Sequence, residues 1–286
     1  MNDMSGLQCV LVMLLMTCAL AMAQLGYVAG VFDDPAMANA TLTYSEIAYC
    51  GDYATREYSG AAAGFVYTYE FNGLHENQGL MGYNPNDQTI YISFRGSSDP
   101  QNWITNLEAF QKDCPASWNI AGCGVHKGFF NAEQDVIPGI YANLKSLMDK
   151  YPSYKVVVTG HSLGAALATV TAADLISSYG VPASKVTLWN YGSPRVFNEA
   201  GSVGVSSMIL SIHRVTHHKD LVPHSPTHNM NYQHIDNEWY EDPTADVVSC
   251  TGYEDPNCSY KWAITSIKDH LVYMGLDIGE AGCGWV

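Results

Sequence analysis

Residues Lys155–Ala168 read KVVVTGHSLGAALA. The β-branched run Val156-Val157-Val158-Thr159 favours a strand. The small residues that follow (Ala165, Ala166, Ala168, Ala172 and Ala173) favour a helix lying close against a sheet. Between them stands Gly160-His161-Ser162-Leu163-Gly164, a G-x-S-x-G pattern in the strand, turn and helix setting that it needs. The turn is strained, so the positions two before and two after the serine must be tiny, and Gly160 and Gly164 meet that demand. Such a turn presents the Ser162 hydroxyl beside the N–H groups at a helix start, as suits a nucleophile. Five-residue patterns with two glycines also occur by chance; the flanking strand and helix separate this one from those.

A serine so placed needs a base, and the base needs an orienting carboxylate. In folds built around this turn the chain order is Ser, acid, His. Asp220 fits, in the loop HHKDLVPHSP after an expected strand Met208–Val215. Asp174 is the main rival but lies on the helix after the turn; Asp236, Asp242 and Asp246 are less well placed. Of the histidines after Asp220, His270 in KDHLVYMG is preferred and His234 is the alternative. The His-rich stretch 213–234 invites a metal reading, but it lacks the H-E-x-x-H spacing, and no metal is expected. Acyl transfer also needs donors for the developing oxyanion. Leu163 N–H, next to the nucleophile, is one, and Ser97, after the strand TIYISF, stands where the second is expected. The other reading of Ser97 is an ordinary turn serine.

The chain has 286 residues and a formal charge of −15. An acidic chain argues against nucleic acid and against anionic membrane surfaces as partners. An apolar run from Val10 ends in Ala21-Met22-Ala23, an A-x-A site, so residues 1–23 read as a signal peptide and 24–286 as one domain. The alternative is an uncleaved anchor, although the run is short for a membrane span. Six cysteines remain after that cut: Cys50, Cys114, Cys123, Cys250, Cys258 and Cys283. An even number in a secreted chain suggests disulfides. Cys114 with Cys123 and Cys250 with Cys258 are the natural local pairs; Cys50 and Cys283 would then tie the front of the domain to its end. Asn39 and Asn257 begin N-x-S/T sequons.

The remaining pattern alternates strands with helices, which argues for an α/β fold with a mostly parallel sheet. Phe65–Asn72, Gln78–Tyr83, Thr89–Phe94 and Val186–Tyr191 read as strands. In Thr89–Phe94 the residues Ile90, Ile92 and Phe94 share a face. Tyr44–Tyr49 reads as helix, and a short amphipathic helix follows Asp99 and Pro100, with Trp103, Ile104 and Leu107 on one face. A longer helix is expected over Pro138–Lys150, with Pro138 starting or kinking it, and a last helix near Ile264–Tyr273.

Eight segments in order resemble the class 3, fungal-type lipases of the α/β-hydrolase superfamily: AYC at 48–50, FRGSS at 94–98, NWITNL at 102–107, VHKGF at 125–129, YPSYKVVVTGHSLG at 151–164, YGSPRV at 191–196, DLVPH at 220–224 and DHLVYMG at 269–275. The resemblance implies an α/β-hydrolase fold with a short helical lid. It implies Ser162 as nucleophile, Asp220 as acid, His270 as base, and Ser97 and Leu163 as oxyanion donors. It supports the pairs Cys50–Cys283 and Cys250–Cys258, and Cys114–Cys123 is similar to a bridge of some members only. The helix with Trp103, Ile104 and Leu107 becomes a lid that covers the serine in water and swings aside on lipid. Two positions depart from the pattern: Ala165 stands where a glycine is common, and Asn106 where some relatives carry an acid that supports the open state. The expectation is a secreted serine esterase, foremost a triacylglycerol lipase. It needs no cofactor, meets a lipid–water interface and its ester substrate as sole partners, and acts as a monomer. A phospholipase or a feruloyl esterase on the same fold is the nearest alternative, and a non-catalytic lipid-binding protein a more distant one.

Overall fold

Thr89–Phe94 and Lys155–His161 lie side by side and parallel at the centre of the sheet, Phe94 opposite Gly160. A computed structural model describes residues 29–30, 32–74 and 77–284; the expected signal peptide at 1–23 lies outside the described residues. The strands of the main sheet are β1 (Ala29–Gly30), β2 (Val66–Asn72), β3 (Gln78–Asn84), β4 (Thr89–Phe94), β5 (Lys155–His161), β6 (Val186–Tyr191), β7 (Ile212–His217), β8 (Glu238–Glu241) and β9 (Val247–Ser249). Their spatial order is β1-β9-β8-β7-β6-β5-β4-β3-β2. From β4 to β8 every pairing is parallel, and the antiparallel strands sit at the two edges.

Both faces of the sheet are covered. Ile90, Ile92 and Phe94 point into the larger core cluster, as their shared face requires, while Tyr91 belongs to the other. On Tyr91's side lies α1 (Pro35–Cys50), whose polar residues pair with the sheet: Ser93 Oγ donates to the Tyr44 carbonyl at 2.8 Å, and Ser45 and Thr159 share a hydroxyl contact of 2.9 Å. On the opposite side lie α3 (Lys127–Lys150) and α4 (Leu163–Ser177), and α2 (Pro100–Thr105) packs its Trp103 on the core of that side. A strand buried on both faces needs a near-continuous apolar run, which VVV and TIYISF supply.

Three elements differ from the pattern read in the sequence. The long helix starts at Lys127, not at Pro138, and the proline lies inside it. Pro138 is exposed, so the Gln134 carbonyl that loses its partner faces solvent, the least costly place for such a break. Met208 ends a helix, α5 (Glu199–Met208), rather than beginning a strand; Asn198 caps that helix by accepting Gly201 N–H. The expected helix over 264–273 shrinks to α6 (Ile267–His270), because Val272–Tyr273 turns back through Met274 and Gly275, both at positive φ, to pair with Leu276–Asp277. The six cysteines form Cys50–Cys283, Cys114–Cys123 and Cys250–Cys258. Among the described residues no helix is long and apolar enough to cross a membrane.

Candidate active site

The turn after β5 takes the strained form that its glycines foretell. Ser162 sits at φ 61°, ψ −127°, a conformation that L-residues avoid. A methyl group on Gly160 would lie 2.5 Å from the Gly164 carbonyl carbon, and one on Gly164 would lie 2.3 Å from the Phe94 oxygen. No side chain fits at either place, so strand, turn and helix can close up only around glycine. Ser162 is fully buried, and its N–H donates to the Tyr191 carbonyl at 2.9 Å, which ties the turn to β6. Leu163 opens α4, whose positive dipole end faces the serine.

The structure brings Asp220 and His270 to this turn from 50 residues apart. Asp220 follows β7, and its N–H donates back to His217. His270 Nδ1 lies 2.8 Å from Asp220 Oδ2, and the same oxygen accepts the Tyr273 hydroxyl at 2.5 Å. The other oxygen, Oδ1, accepts Val222 N–H at 2.8 Å. Burial, aided by the Asp220 carboxylate, raises Tyr273 well above the phenol range, so its proton stays in place and it remains a donor. Since Nδ1 faces a carboxylate, it carries the imidazole hydrogen and Nε2 is left as an acceptor. Among the described residues neither His270 Nε2 nor Ser162 Oγ has a hydrogen-bond partner, each other included, and both are enclosed. Gly192, at φ +58°, gives this cluster its room: a methyl there would be 2.8 Å from Asp220 Oδ2 and 3.0 Å from His270 Cε1. Tyr273 and Gly192 were not singled out in the sequence. Both sit inside family-like segments, DHLVYMG and YGSPRV, which was the signal available for them.

Ser97 lies after β4 and is buried; its Oγ accepts Asp99 N–H at 3.2 Å, next to the start of α2. Asp99 caps α2 by accepting Asn102 N–H at 3.0 Å, and Asn106 closes its far end by donating to Asn102. α2 lies down on the molecule. The Trp103 ring stacks on Phe129 at 6.0 Å, and Trp103 and Leu107 pack against the main core, while Ile104 is half-buried. Beneath them is a cavity of about 530 Å³, lined by Trp103, Leu107, Phe110, Phe129 and Leu163 among others, with His126 in its wall. Burial holds His126 uncharged, at about 4, and its Nδ1 accepts Phe129 N–H. A separate cavity of about 340 Å³ is lined by Ser97, His161, Tyr49 and Leu271 among others.

The rival residues have other occupations. Asp174 accepts the Trp118 indole N–H at 2.9 Å and Gln134 at 3.0 Å, fastening α4 to its surroundings. Asp242 and Asp246 share a turn with Thr244, and Asp236 accepts Asn237 N–H. His234 Nε2 lies 2.7 Å from the Pro223 carbonyl. His213 pairs with Asp33 and His217 with the Asp269 carbonyl. Among the described residues, the one grouping close enough to chelate is Glu46, Cys50 and Cys283, and its two cysteines are joined as a disulfide. Asn39 and Asn257 are both exposed.

A mostly parallel sheet, a strained serine turn between strand and helix, and acid and histidine delivered in that order by later loops define an α/β-hydrolase. The family model "Lipase (class 3)" matches residues 91–230. The lipase of Rhizomucor miehei is 35% identical over 211 residues, covering 72% of this chain and 57% of the relative. Secreted mono- and diacylglycerol lipase 1 of Fusarium solani is 37% identical over 192 residues, covering 64% of this chain and 56% of the relative. A solved triacylglycerol lipase, described as having a serine protease triad at its catalytic centre, superposes with a TM-score of 0.82 at 30% identity, covering 88% of this chain and 98% of that one. The chain belongs to the class 3 lipase family. The match spans a little over half the length of the two curated relatives.

Proposed function

We propose that this protein is a secreted carboxylic ester hydrolase acting on acylglycerols, with triacylglycerol as its principal substrate, and that it works as a monomer released by removal of residues 1–23. The observation that carries the reading is the buried Asp220–His270 pair beside an unengaged serine at a strained turn. Ser162 Oγ attacks the ester carbonyl while His270 Nε2 takes its proton. Asp220 holds the imidazole in the right tautomer and steadies the imidazolium. Leu163 N–H and Ser97 stabilise the oxyanion, an effect worth on the order of 10²–10³ in rate per donor. His270 then returns the proton to the glycerol oxygen. Water, activated by the same histidine, cleaves the acyl-enzyme and releases a fatty acid.

Substrate cannot reach a serine with no exposed surface, so α2 must move. Trp103, Ile104 and Leu107 offer an apolar face that buries either on Phe129 and the core or in lipid. The apolar cavity beneath suits an acyl chain better than a polar head group. The decisive experiment measures hydrolysis of a short triglyceride across its solubility limit, for wild type and Ser162→Ala. A rise in rate when droplets form, lost in the variant, is expected. Smooth saturation below solubility would mean a soluble-ester esterase, to be tried on feruloyl esters. Activity confined to partial glycerides would place it with the Fusarium relative's named substrates. No serine-dependent activity would sink the enzymatic reading.

A further inference from the structure

We propose that Tyr49 and His161 form a positioning pair that sets the catalytic base and ties it to the loop carrying Ser97. This rests on the Ser162, His270 and Asp220 reading above.

His161 is the variable residue of the G-x-S-x-G turn, and its side chain points away from the serine into the protein. It is completely buried, yet both ring nitrogens are used. Nε2 lies 2.9 Å from the His270 carbonyl oxygen and Nδ1 lies 2.8 Å from the Tyr49 hydroxyl. A carbonyl only accepts, so Nε2 carries the hydrogen and Nδ1 accepts from Tyr49. The Tyr49 oxygen also packs directly against Gly96. Gly96 immediately precedes Ser97, and a methyl on it would lie 2.0 Å from that same oxygen. A directed hydrogen-bond string therefore runs from Tyr49 through His161 to the backbone of His270, and its Tyr49 end packs against the Ser97 loop at Gly96. Each donor has one acceptor, which fixes both tautomer and direction.

The rings of His161 and His270 also stack, 4.3 Å apart with 29° between their planes. Asp220 and Tyr273 hold His270 by one edge; His161 supports its face and its carbonyl. Burial keeps His161 uncharged, and the neighbouring His270 acts in the same direction. That matters in turnover, because His270 becomes an imidazolium and a second cation 4.3 Å away would oppose it. The groups facing this cluster are Tyr49, Tyr273, Asp220 and His270 itself, with Glu46 and Arg95 beyond Tyr49 and with Asp277 and Glu280 on the cavity that Tyr49 and His161 line.

The test uses the full secreted chain on a soluble p-nitrophenyl ester, reading kcat, KM, Tm and the acid limb of the kcat/KM profile. His161→Leu and Tyr49→Phe break the string; His161→Gln keeps a donor for the His270 carbonyl and an acceptor for Tyr49. The expected result is a kcat lowered about 100-fold in His161→Leu and about 10-fold in Tyr49→Phe, with KM within about twofold. The acid limb should move to lower pH as the hold on His270 loosens, and His161→Gln should recover most of the rate. Wild-type kcat and an unmoved limb in folded His161→Leu and Tyr49→Phe would overturn the proposal. So would rate losses that merely follow Tm and are not recovered by glutamine. If His161→Leu does not fold, Tyr49→Phe and His161→Gln decide by the same two readouts. A wild-type enzyme without Ser162-dependent hydrolysis would overturn the underlying reading, and this one with it.

Discussion

At the scale of single residues, the site is built by denying alternatives. Asp220 spends both oxygens on fixed donors, so the His270 ring cannot turn without losing Nδ1's partner. The Tyr273 hydroxyl is the one donor among these that a minimal substitution can remove. Tyr273→Phe takes away a hydrogen bond to a charged group, worth about 1.5–3 kcal/mol. The expected outcome is a kcat lowered about 10- to 30-fold on a soluble ester, with KM little changed. Steady-state kinetics alongside a thermal melt would check it, and an unaltered kcat would show that Asp220 needs no second anchor.

At the scale of elements, α2 is held by few contacts: a cap at Asp99, a cap at Asn106, and the face bearing Trp103 and Leu107. The Trp103–Phe129 stack belongs to the covered state. An aromatic pair contributes about 0.5–1.5 kcal/mol, so Trp103→Ala should shift the balance toward the uncovered state by about 2- to 10-fold. The rate on dissolved ester should rise by that factor and the jump at droplet formation should shrink. Comparing the two rates in one titration measures it, and an undiminished jump would mean that Trp103 does not hold the helix down. This element was legible from sequence because its signals are local: Asp99, Pro100 and a three-residue apolar face. The same holds for β4 and β5, where β-branched runs carry the pattern. Elements that depend on distant partners were not legible. α5 has two glycines in ten residues and forms because Val205 finds the core. Pro138 sits in mid-helix because its position faces water. The short strands β8 and β9 carry too few residues to show a period. Within the site, the serine turn, Asp220 and His270, which the structure brings together, could be picked out from spacing and resemblance. The hydrogen bonds of Tyr49, His161 and Tyr273 could not, since each joins residues whose nearness exists only after folding.

At the scale of the whole molecule, the first long helix and the end of the chain are joined around Glu46. Its Oε2 accepts Gly279 N–H at 2.7 Å, Oε1 is enclosed without a partner among the described residues, and Gly282 has no room for a side chain beside it. Burial pushes this carboxyl up to about 7, helped by Asp277 and opposed by Arg56 and the Gly279 N–H. The folded protein thus keeps a proton that the unfolded chain releases near 4.5. Its contribution to stability is present at low pH and declines as pH rises from about 4.5 through 7. Glu46→Gln, which cannot ionise, should remove that decline, so its Tm relative to wild type should be higher at pH 8 than at pH 5. Thermal melts at the two values decide it; an equal difference at both would mean that Glu46 is already ionised at pH 5.

The bond between Cys50 and Cys283 encloses nearly every element described above. Proteases that meet a folded protein make their first cuts in exposed loops. One cut anywhere between those two cysteines opens the chain without parting it: both pieces stay on one covalent molecule, with Ser162, Asp220 and His270 still tethered. The nicked protein would run as a single band without reductant and as two with it. What such damage removes is continuity of the main chain, not the shared address of the three groups.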